Sequence, residues 1–168
     1  MKIENPVAFY FIMQDELYLL KKDKDLYNSI SAKPVAVSEP EPLKLKYSGA
    51  NTKGFLIVVH YPEQEFMADR HLAALENTLK RLGYDLDDAA IFNRAVQNEV
   101  RHAELTDFFK PEKILFLGAE AVPIGINGLI LNERTTLNGS KVLLTFSFDE
   151  MMDNTENKKT FWEQIKQL

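Results

Sequence analysis

The sequence contains no cysteine, so disulfide bonds, thiolate nucleophiles and cysteine-ligated zinc are all excluded. The ends of the predicted strands lack the glycine-rich loops of Walker or dinucleotide-binding motifs, which argues against a nucleotide cofactor. No apolar run approaches the roughly 20 residues that a membrane span needs. The first six residues lack the basic start, apolar stretch and cleavage site of a signal peptide. We therefore expect a cytoplasmic protein without a cofactor.

The composition is that of one ordinary globular domain, with 45% hydrophobic and 27% charged residues in 168. The net charge of -5 is unevenly distributed: residues 1–53 carry 8 basic and 7 acidic side chains, whereas residues 54–168 carry 12 and 18. An acidic domain is a poor partner for a phosphate backbone, because non-specific affinity for nucleic acid comes mainly from Lys and Arg. We do not expect direct DNA or RNA binding.

The central feature of the sequence is the segment Gly54–Pro62, in which five consecutive apolar residues precede a histidine, a tyrosine and a proline. A strand that is apolar at every position, rather than at alternate ones, is typical of a parallel sheet covered on both faces. Proline cannot continue a central strand, so the strand is expected to end before Pro62. Its carboxyl end is the place where open α/β sheets bind ligands.

Helix and strand signals alternate after this segment. A one-sided helix is predicted from Phe66 to Leu82 and a strand over Ala89–Phe92, followed by a second helix over Gln97–Phe109 and a strand over Lys113–Gly118. Strand–helix repeats with short links favour right-handed crossovers. The predicted fold is α/β, a three-layer α/β/α sandwich with a central, mostly parallel sheet.

An antiparallel hairpin is predicted near the C-terminal end. Two strand-like segments, 129–136 and 141–146, flank Asn138-Gly139, and Asn-Gly between strands is the strongest short hairpin signal. After it, Ser147 or Asp149 is predicted to cap a short turn and Thr155 to cap a last helix.

The segment before the core, residues 1–53, is predicted to be an N-terminal arm and proline-rich linker, with the core domain at 54–168. Its apolar part, which includes Phe9 and Phe11, either packs on the core or docks a partner. Lys44–Tyr47 alternates in polarity and is a candidate edge strand.

Candidate chemistry gathers at the end of the central strand, where His60, Glu63 and Glu65 follow one another closely. A carboxylate there activates water if burial raises its pKa; the alternative is a loop histidine beside solvated glutamates. Glu99 and His102 have the three-residue spacing of metal ligands on one helix, but no second such pair exists, so a solvated helix face is the simpler interpretation and no metal is expected. No serine stands in a nucleophile-elbow context.

Aromatic and thioether side chains gather where the last strand meets the last helix: Phe146, Phe148, Met151, Met152, Phe161 and Trp162. Core packing is the simplest interpretation. Exposure of Phe148 or Trp162 would instead indicate a protein-binding hot spot, because aromatic residues anchor such surfaces.

Three segments resemble, in order, the strand-end regions of the uracil-DNA glycosylase-like fold: Gly54–Pro62, Lys113–Ala121 and Thr145–Met151. The tail Glu150–Ile165, with its Lys-Lys-x-Phe-Trp helix, is similar to the end of the psi subunit family of bacterial DNA polymerase III. That family has the glycosylase-like fold without glycosylase activity. The resemblance implies a strand-end pocket formed by Tyr61, Pro62, Gly118, Phe146 and Ser147.

The departures from the glycosylase pattern bear directly on function. Active enzymes of this fold place a water-activating Asp or Asn beside the proline, and a His-Pro-Ser loop after the last strand. Here Tyr61 and Glu63 flank Pro62, and Phe146-Ser147-Phe148 stands in place of the histidine loop. The resemblance therefore implies a non-catalytic interaction subunit.

In the psi family the N-terminal segment docks into the clamp loader and the core binds a small partner subunit. Carried over, this implies clamp-loader subunits as partners, with Phe9, Phe11, Phe148 and Trp162 as partner-binding candidates. The alternatives are a hydrolase acting on a nucleic-acid base or nucleoside through Glu63 or His60, and a plain structural or oligomeric module.

Overall fold

The computed structural model describes residues 44–168, which belong to one compact unit. The predicted arm, including Phe9 and Phe11, lies outside the described residues. Within 44–168 the strands are β1 (Phe55–Val59), β2 (Ala89–Asn93), β3 (Lys113–Leu117), β4 (Arg134–Leu137) and β5 (Ser140–Thr145). The α-helices are α1 (Asp69–Arg81), α2 (His102–Phe109), α3 (Phe148–Met152) and α4 (Thr155–Ile165).

The five strands form one sheet in the order β2-β1-β3-β5-β4. All neighbouring pairs are parallel except β4 and β5, which are antiparallel. The predicted α/β class, the mostly parallel sheet and the antiparallel pair near the C-terminal end are therefore confirmed.

Helices cover both faces of the sheet, which explains why the central strand is apolar throughout. Phe55, Ile57 and Val59 pack into one cluster with side chains of α1, α3 and α4. Leu56 and Val58 pack on the opposite face with Leu105 and Phe109 of α2 and with residues after β3. Burying one such large apolar side chain stabilises the fold by about 1.5–3 kcal/mol. We call these two sides of the sheet the α1 side and the α2 side.

Both crossover helices begin later than the apolar periodicity predicts. Helix α1 starts at Asp69 rather than Phe66, and α2 starts at His102 rather than Gln97. The start of α2 is fixed by the Glu104 carboxylate, which accepts a hydrogen bond from the backbone N–H of Arg101 at 2.7 Å, as in a capping box. Glu99 therefore lies outside the helix, and the expected pair of Glu99 and His102 on one helix face does not form.

The β4–β5 hairpin turns through Asn138 and Gly139, whose φ angles of 50° and 89° are those of a type I′ turn. Its first strand is shorter than predicted and starts at Arg134. Asn132 adopts a left-handed φ of 59° and interrupts the extended segment before it. Leu131 consequently forms only an isolated bridge, to Leu144.

The two C-terminal helices have side-chain caps. Ser147 caps α3 as predicted: its Oγ accepts from Glu150 N at 3.3 Å, and the Glu150 carboxylate accepts from Ser147 N at 2.8 Å. The prediction that Thr155 caps the last helix is wrong. Asn154 Oδ1 does so by accepting from the backbone N–H of Glu156 at 2.9 Å, and Thr155 is the first helical residue.

Part of the segment before residue 54 packs on the core. Leu45 and Tyr47 pack on the α2-side cluster. The expected edge strand over Lys44–Tyr47 is reduced to a single antiparallel bridge between Ser48 and Ile91 of β2. Gly49, with φ of 90°, follows that bridge and lies against the backbone of Ala89.

We predict that Gly49→Ala destabilises the protein more than Gly83→Ala does. Both glycines have a left-handed φ, which disfavours an L side chain by about 1–2 kcal/mol. A Cβ at Gly49 would overlap the Ala89 carbonyl oxygen, whereas one at Gly83 meets no heavy atom within 4 Å. We expect overpacking to lower the unfolding free energy of the Gly49 variant by about 1–3 kcal/mol more, measured by urea denaturation. Equal losses would contradict the close approach.

Candidate functional site

The three segments that follow β1, β3 and β5 lie side by side at the carboxyl edge of the sheet, because β3 pairs with both β1 and β5. Gly118 N donates to Thr145 O at 2.9 Å, and a Cβ added to Gly118 would lie only 3.2 Å from the Cβ of Ser147. The structure thus brings Gly118 and Ser147 into contact and leaves no crevice between them.

Asn93, at the carboxyl end of β2, holds the loop that follows β1. Its Nδ2 donates to the carbonyl oxygens of Tyr61 and Gln64, both at 2.8 Å, and its Oδ1 accepts from Tyr61 N at 3.0 Å and Ala95 N at 3.1 Å. The side chain is buried, so these hydrogen bonds satisfy it fully on the protein alone. The sequence gives no sign of this role, because an asparagine after a strand is ordinarily a turn residue.

Tyr61, His71 and Phe148 fill the α1 side of this edge. Tyr61 Oη lies 2.8 Å from His71 Nδ1, and the His71 and Phe148 rings stack with centroids 5.7 Å apart and planes 18° apart. Phe146 and Tyr61 also pack on the α1-side cluster, while Pro62 is exposed. Two of the predicted pocket residues, Tyr61 and Phe146, therefore pack against the core at this edge. The sequence did not single out His71, whose place in α1 looks like that of an ordinary helical residue.

An exposed ion pair adjoins the buried histidine. Asp149 Oδ1 lies 3.2 Å from Arg70 Nη2 and 3.7 Å from His71 Nε2, beyond hydrogen-bonding reach. Burial lowers the pKa of His71, and the Asp149 carboxylate opposes part of that shift. Burial also raises the pKa of the Tyr61 phenol, so the hydroxyl is held neutral and is not activated as a nucleophile.

The structure does not assemble the expected hydrolytic pair. His60 Nε2 is 3.8 Å from Glu120 Oε2, in the segment after β3. Glu63 is exposed, and within residues 44–168 it forms no hydrogen bond or ion pair with His60. A general base needs to lie within hydrogen-bonding distance of the proton it removes, and no side chain among residues 44–168 pairs with Glu63 to orient it.

No protein-family model matches the chain, and no curated protein matches it. Function is accordingly inferred from the geometry of the residues.

The largest cleft described lies at the opposite, amino end of the parallel strands. It encloses about 750 Å³ between the end of α2 and the β4–β5 hairpin and is lined by Lys110, Glu112, Lys141 and their neighbours.

No group of three or more His, Asp or Glu side chains within residues 44–168 is arranged to hold a metal ion. Among the helices in the same range, none has the length and apolarity to cross a membrane.

The two aromatic residues predicted as partner contacts have different environments. Phe148 is only 4% exposed and belongs to the core, so it presents no surface to a partner. Trp162 is half-buried against the α1-side cluster, with the Arg81 guanidinium and the Lys166 ammonium each 5.9 Å from its ring centroid. Both cations lie close enough for a cation–π interaction.

The large apolar side chains that are exposed lie elsewhere. Most belong to segments that pack on the α2 side, namely the turn after β2, α2 itself and the segment that links β3 to β4. Within the described part of the chain they are Val96, Phe108, Ile124, Ile130 and Leu131, with Met152 on α3 as the exception. Sequence reasoning did not single out Val96, Ile124, Ile130 or Leu131, because periodicity in irregular segments does not separate inward from outward positions.

We predict that His71 makes the protein less stable in acid. Because its pKa is lowered in the folded state, the unfolded chain binds more protons below about pH 6.5, and stability falls as the pH drops through that range. Burial lowers the pKa of His102 as well, so it contributes in the same direction. We expect His71→Gln to reduce the loss of unfolding free energy between about pH 7.5 and 5.5, and His71→Gln/His102→Gln to reduce it further. An unchanged pH slope in both variants would refute this origin.

Proposed function

We propose that the chain is a non-catalytic protein-interaction subunit of the psi type, built on a glycosylase-like fold and acting in the cytoplasm. The observation that supports this most is the filled edge of the sheet. The Tyr61–His71 hydrogen bond and the His71–Phe148 stack occupy the place where an open α/β fold holds its ligand.

The arrangement of the strands supports the fold-level part of the proposal. The three segments that resemble the glycosylase-like strand ends follow β1, β3 and β5, and these strands are adjacent and parallel. The resemblance requires the three segments to lie at one edge of one sheet, and parallel pairing of the three strands meets that requirement. The Lys-Lys-x-Phe-Trp segment lies in α4, where Phe161 is buried in the α1-side cluster.

The chemistry of the edge supports the absence of catalysis. Glycosylase-type cleavage needs a carboxylate or amide that activates water and a donor that stabilises the departing base. Tyr61 stands beside Pro62 with its phenol kept neutral, and Phe148 offers only a buried hydrocarbon ring where the donor loop would lie. Neither side chain performs the required step.

A partner surface on the α2 side fits the same proposal. Five of the six large apolar residues exposed within 44–168 lie in segments that pack on that side. Exposed apolar side chains on one side of a fold are candidate contacts for a protein partner. The acidic charge of residues 54–168 disfavours nucleic acid as the partner.

The first test concerns catalysis. We predict that the purified chain, incubated with uracil-containing single-stranded DNA and then treated with alkali, gives no more strand cleavage than buffer does. An active uracil-DNA glycosylase assayed in parallel shows that the substrate is competent. Cleavage that is lost on Glu63→Gln, with Glu133→Gln unaffected as a matched exposed control, would refute the non-catalytic proposal.

The second test concerns the partner. We predict that the full chain co-elutes with the clamp-loader subunits and the small partner subunit of its own organism in size-exclusion chromatography. Ile124→Ser/Ile130→Ser removes two of the most exposed apolar side chains and should weaken binding to the small partner by tenfold or more, without loss of stability. Phe9→Ala/Phe11→Ala should instead weaken binding to the clamp loader.

Thr135→Ser/Thr136→Ser on the exposed strand β4 is the control and should bind as the wild type does. Failure of the wild-type chain to co-elute with any of these subunits would overturn the psi-type assignment.

A further inference from the structure

The α2 side of the same edge has several buried nitrogen atoms without partners, whereas His71 Nε2 is the one described on the α1 side within residues 44–168. His60 Nδ1, Arg94 Nε and His102 Nε2 are all shielded from solvent and form no hydrogen bond with the residues described, 44–168. Most buried polar atoms in proteins are hydrogen-bonded, and an unpaired one is costly. The unpaired atoms of His60 and Arg94 leave hydrogen-bonding capacity for a group that residues 44–168 do not supply.

Two of these side chains, His60 and Arg94, both reach Glu120 in the segment after β3. Val58 of β1 and Phe92 of β2 both belong to the α2-side cluster, and the next positions on the same side are His60 and Arg94. The backbone continues the pairing of the two strands at this point, because Arg94 N donates to Val59 O at 2.9 Å. His60 and Arg94 therefore extend from neighbouring backbone positions towards the same side.

One end of the Arg94 guanidinium is fixed, and the other has no acceptor among residues 44–168. Nη1 donates to the backbone oxygen of Glu120 at 2.8 Å. No atom of residues 44–168 accepts a hydrogen bond from Nε or Nη2. These two N–H groups form a parallel fork that matches two oxygens of a phosphate or carboxylate group.

The nearest acidic side chain does not fill this fork. Glu120 Oε2 lies 3.8 Å from His60 Nε2, too far for a hydrogen bond, and the Glu120 side chain is 81% exposed. Because Arg94 is anchored by the backbone of Glu120, that side chain is free to move without releasing the guanidinium. Its carboxylate nevertheless places a negative charge beside the fork and opposes the approach of another anion.

We propose that Arg94 and His60 form a binding site for the oxyanion of a small molecule, a phosphate or a carboxylate, with which the Glu120 carboxylate competes. Arg94 supplies the bidentate fork through Nε and Nη2, and His60 supplies the unpaired Nδ1. The site takes a single anionic group, because one fork and one imidazole form its polar surface. It is independent of the proposed partner function, and either can fail without the other.

The test is a titration of the ¹⁵N-labelled full chain with inorganic phosphate and, separately, acetate, at constant ionic strength maintained with chloride. The Arg94 Nε–H resonance is expected to shift saturably with at least one of the two anions. Glu120→Gln should raise the affinity about three- to tenfold, because it removes a like charge a few ångströms away and leaves the backbone anchor of Arg94 in place.

Two further variants separate a built site from general electrostatics. Arg94→Lys keeps the charge but removes the fork, and should lower the affinity at least tenfold. Glu133→Gln removes one equivalent exposed charge from the segment before β4 and should leave the affinity unchanged.

The outcomes distinguish a phosphate from a carboxylate ligand and also test whether the proposed site exists. Saturation by phosphate alone assigns a phosphate group, and saturation by acetate alone assigns a carboxylate. If neither anion saturates the wild type or the Glu120→Gln variant, or if Arg94→Lys binds as tightly as the wild type, the proposed site does not exist. The Glu120→Gln variant keeps the test valid if Arg94→Lys fails to fold.

Discussion

Each of the five residues of β1 is at most 1% exposed, so both faces of the sheet have to be covered at once. That requirement determines most of the architecture. Each crossover helix has to return across a face, the long connections have to add apolar side chains between the helices, and the segment around Tyr47 is drawn onto the α2 side. A strand with alternating polarity would have tolerated a solvated face and would have required only half of these elements.

The carboxyl edge of the sheet is organised by a single buried amide. Asn93 binds both the N–H and the C=O of Tyr61, which fixes where that residue leaves β1. With its backbone fixed, the Tyr61 ring reaches His71, and His71 in turn stacks on Phe148. The filled edge is therefore a chain of contacts that begins at the end of β2. A short polar side chain, rather than the aromatic ones, sets its geometry.

The local parts of this structure could be predicted from the sequence, whereas the long-range parts could not. The β1 run and the Asn138–Gly139 turn signal their conformation within a few residues. The start of α2 is set by the hydrogen bond from Arg101 N to the Glu104 carboxylate and not by the apolar periodicity. The start of the last helix is set by which of two neighbouring residues, Asn154 or Thr155, caps it. The candidate site is harder still, because the Asn93–Tyr61 and His71–Phe148 contacts join residues far apart in the chain, with no local pattern to mark them.

The alternation of β1 continues past its last residue and gives its two sides opposite characters. Tyr61 follows the side of Val59 and packs on the α1 side, where it contacts His71. His60 follows the side of Val58 and, like Arg94, reaches Glu120. The packing of aromatic rings on the α1 side therefore says nothing about the α2 side, because a one-residue step along the strand moves a side chain from one to the other. Arg94, whose Nε and Nη2 have no acceptor among residues 44–168, is the kind of group that small anions bind. The strand residues of Gly54–Pro62 thus pack in the core on both faces of the sheet, and the next two residues, His60 and Tyr61, continue onto opposite sides of its edge.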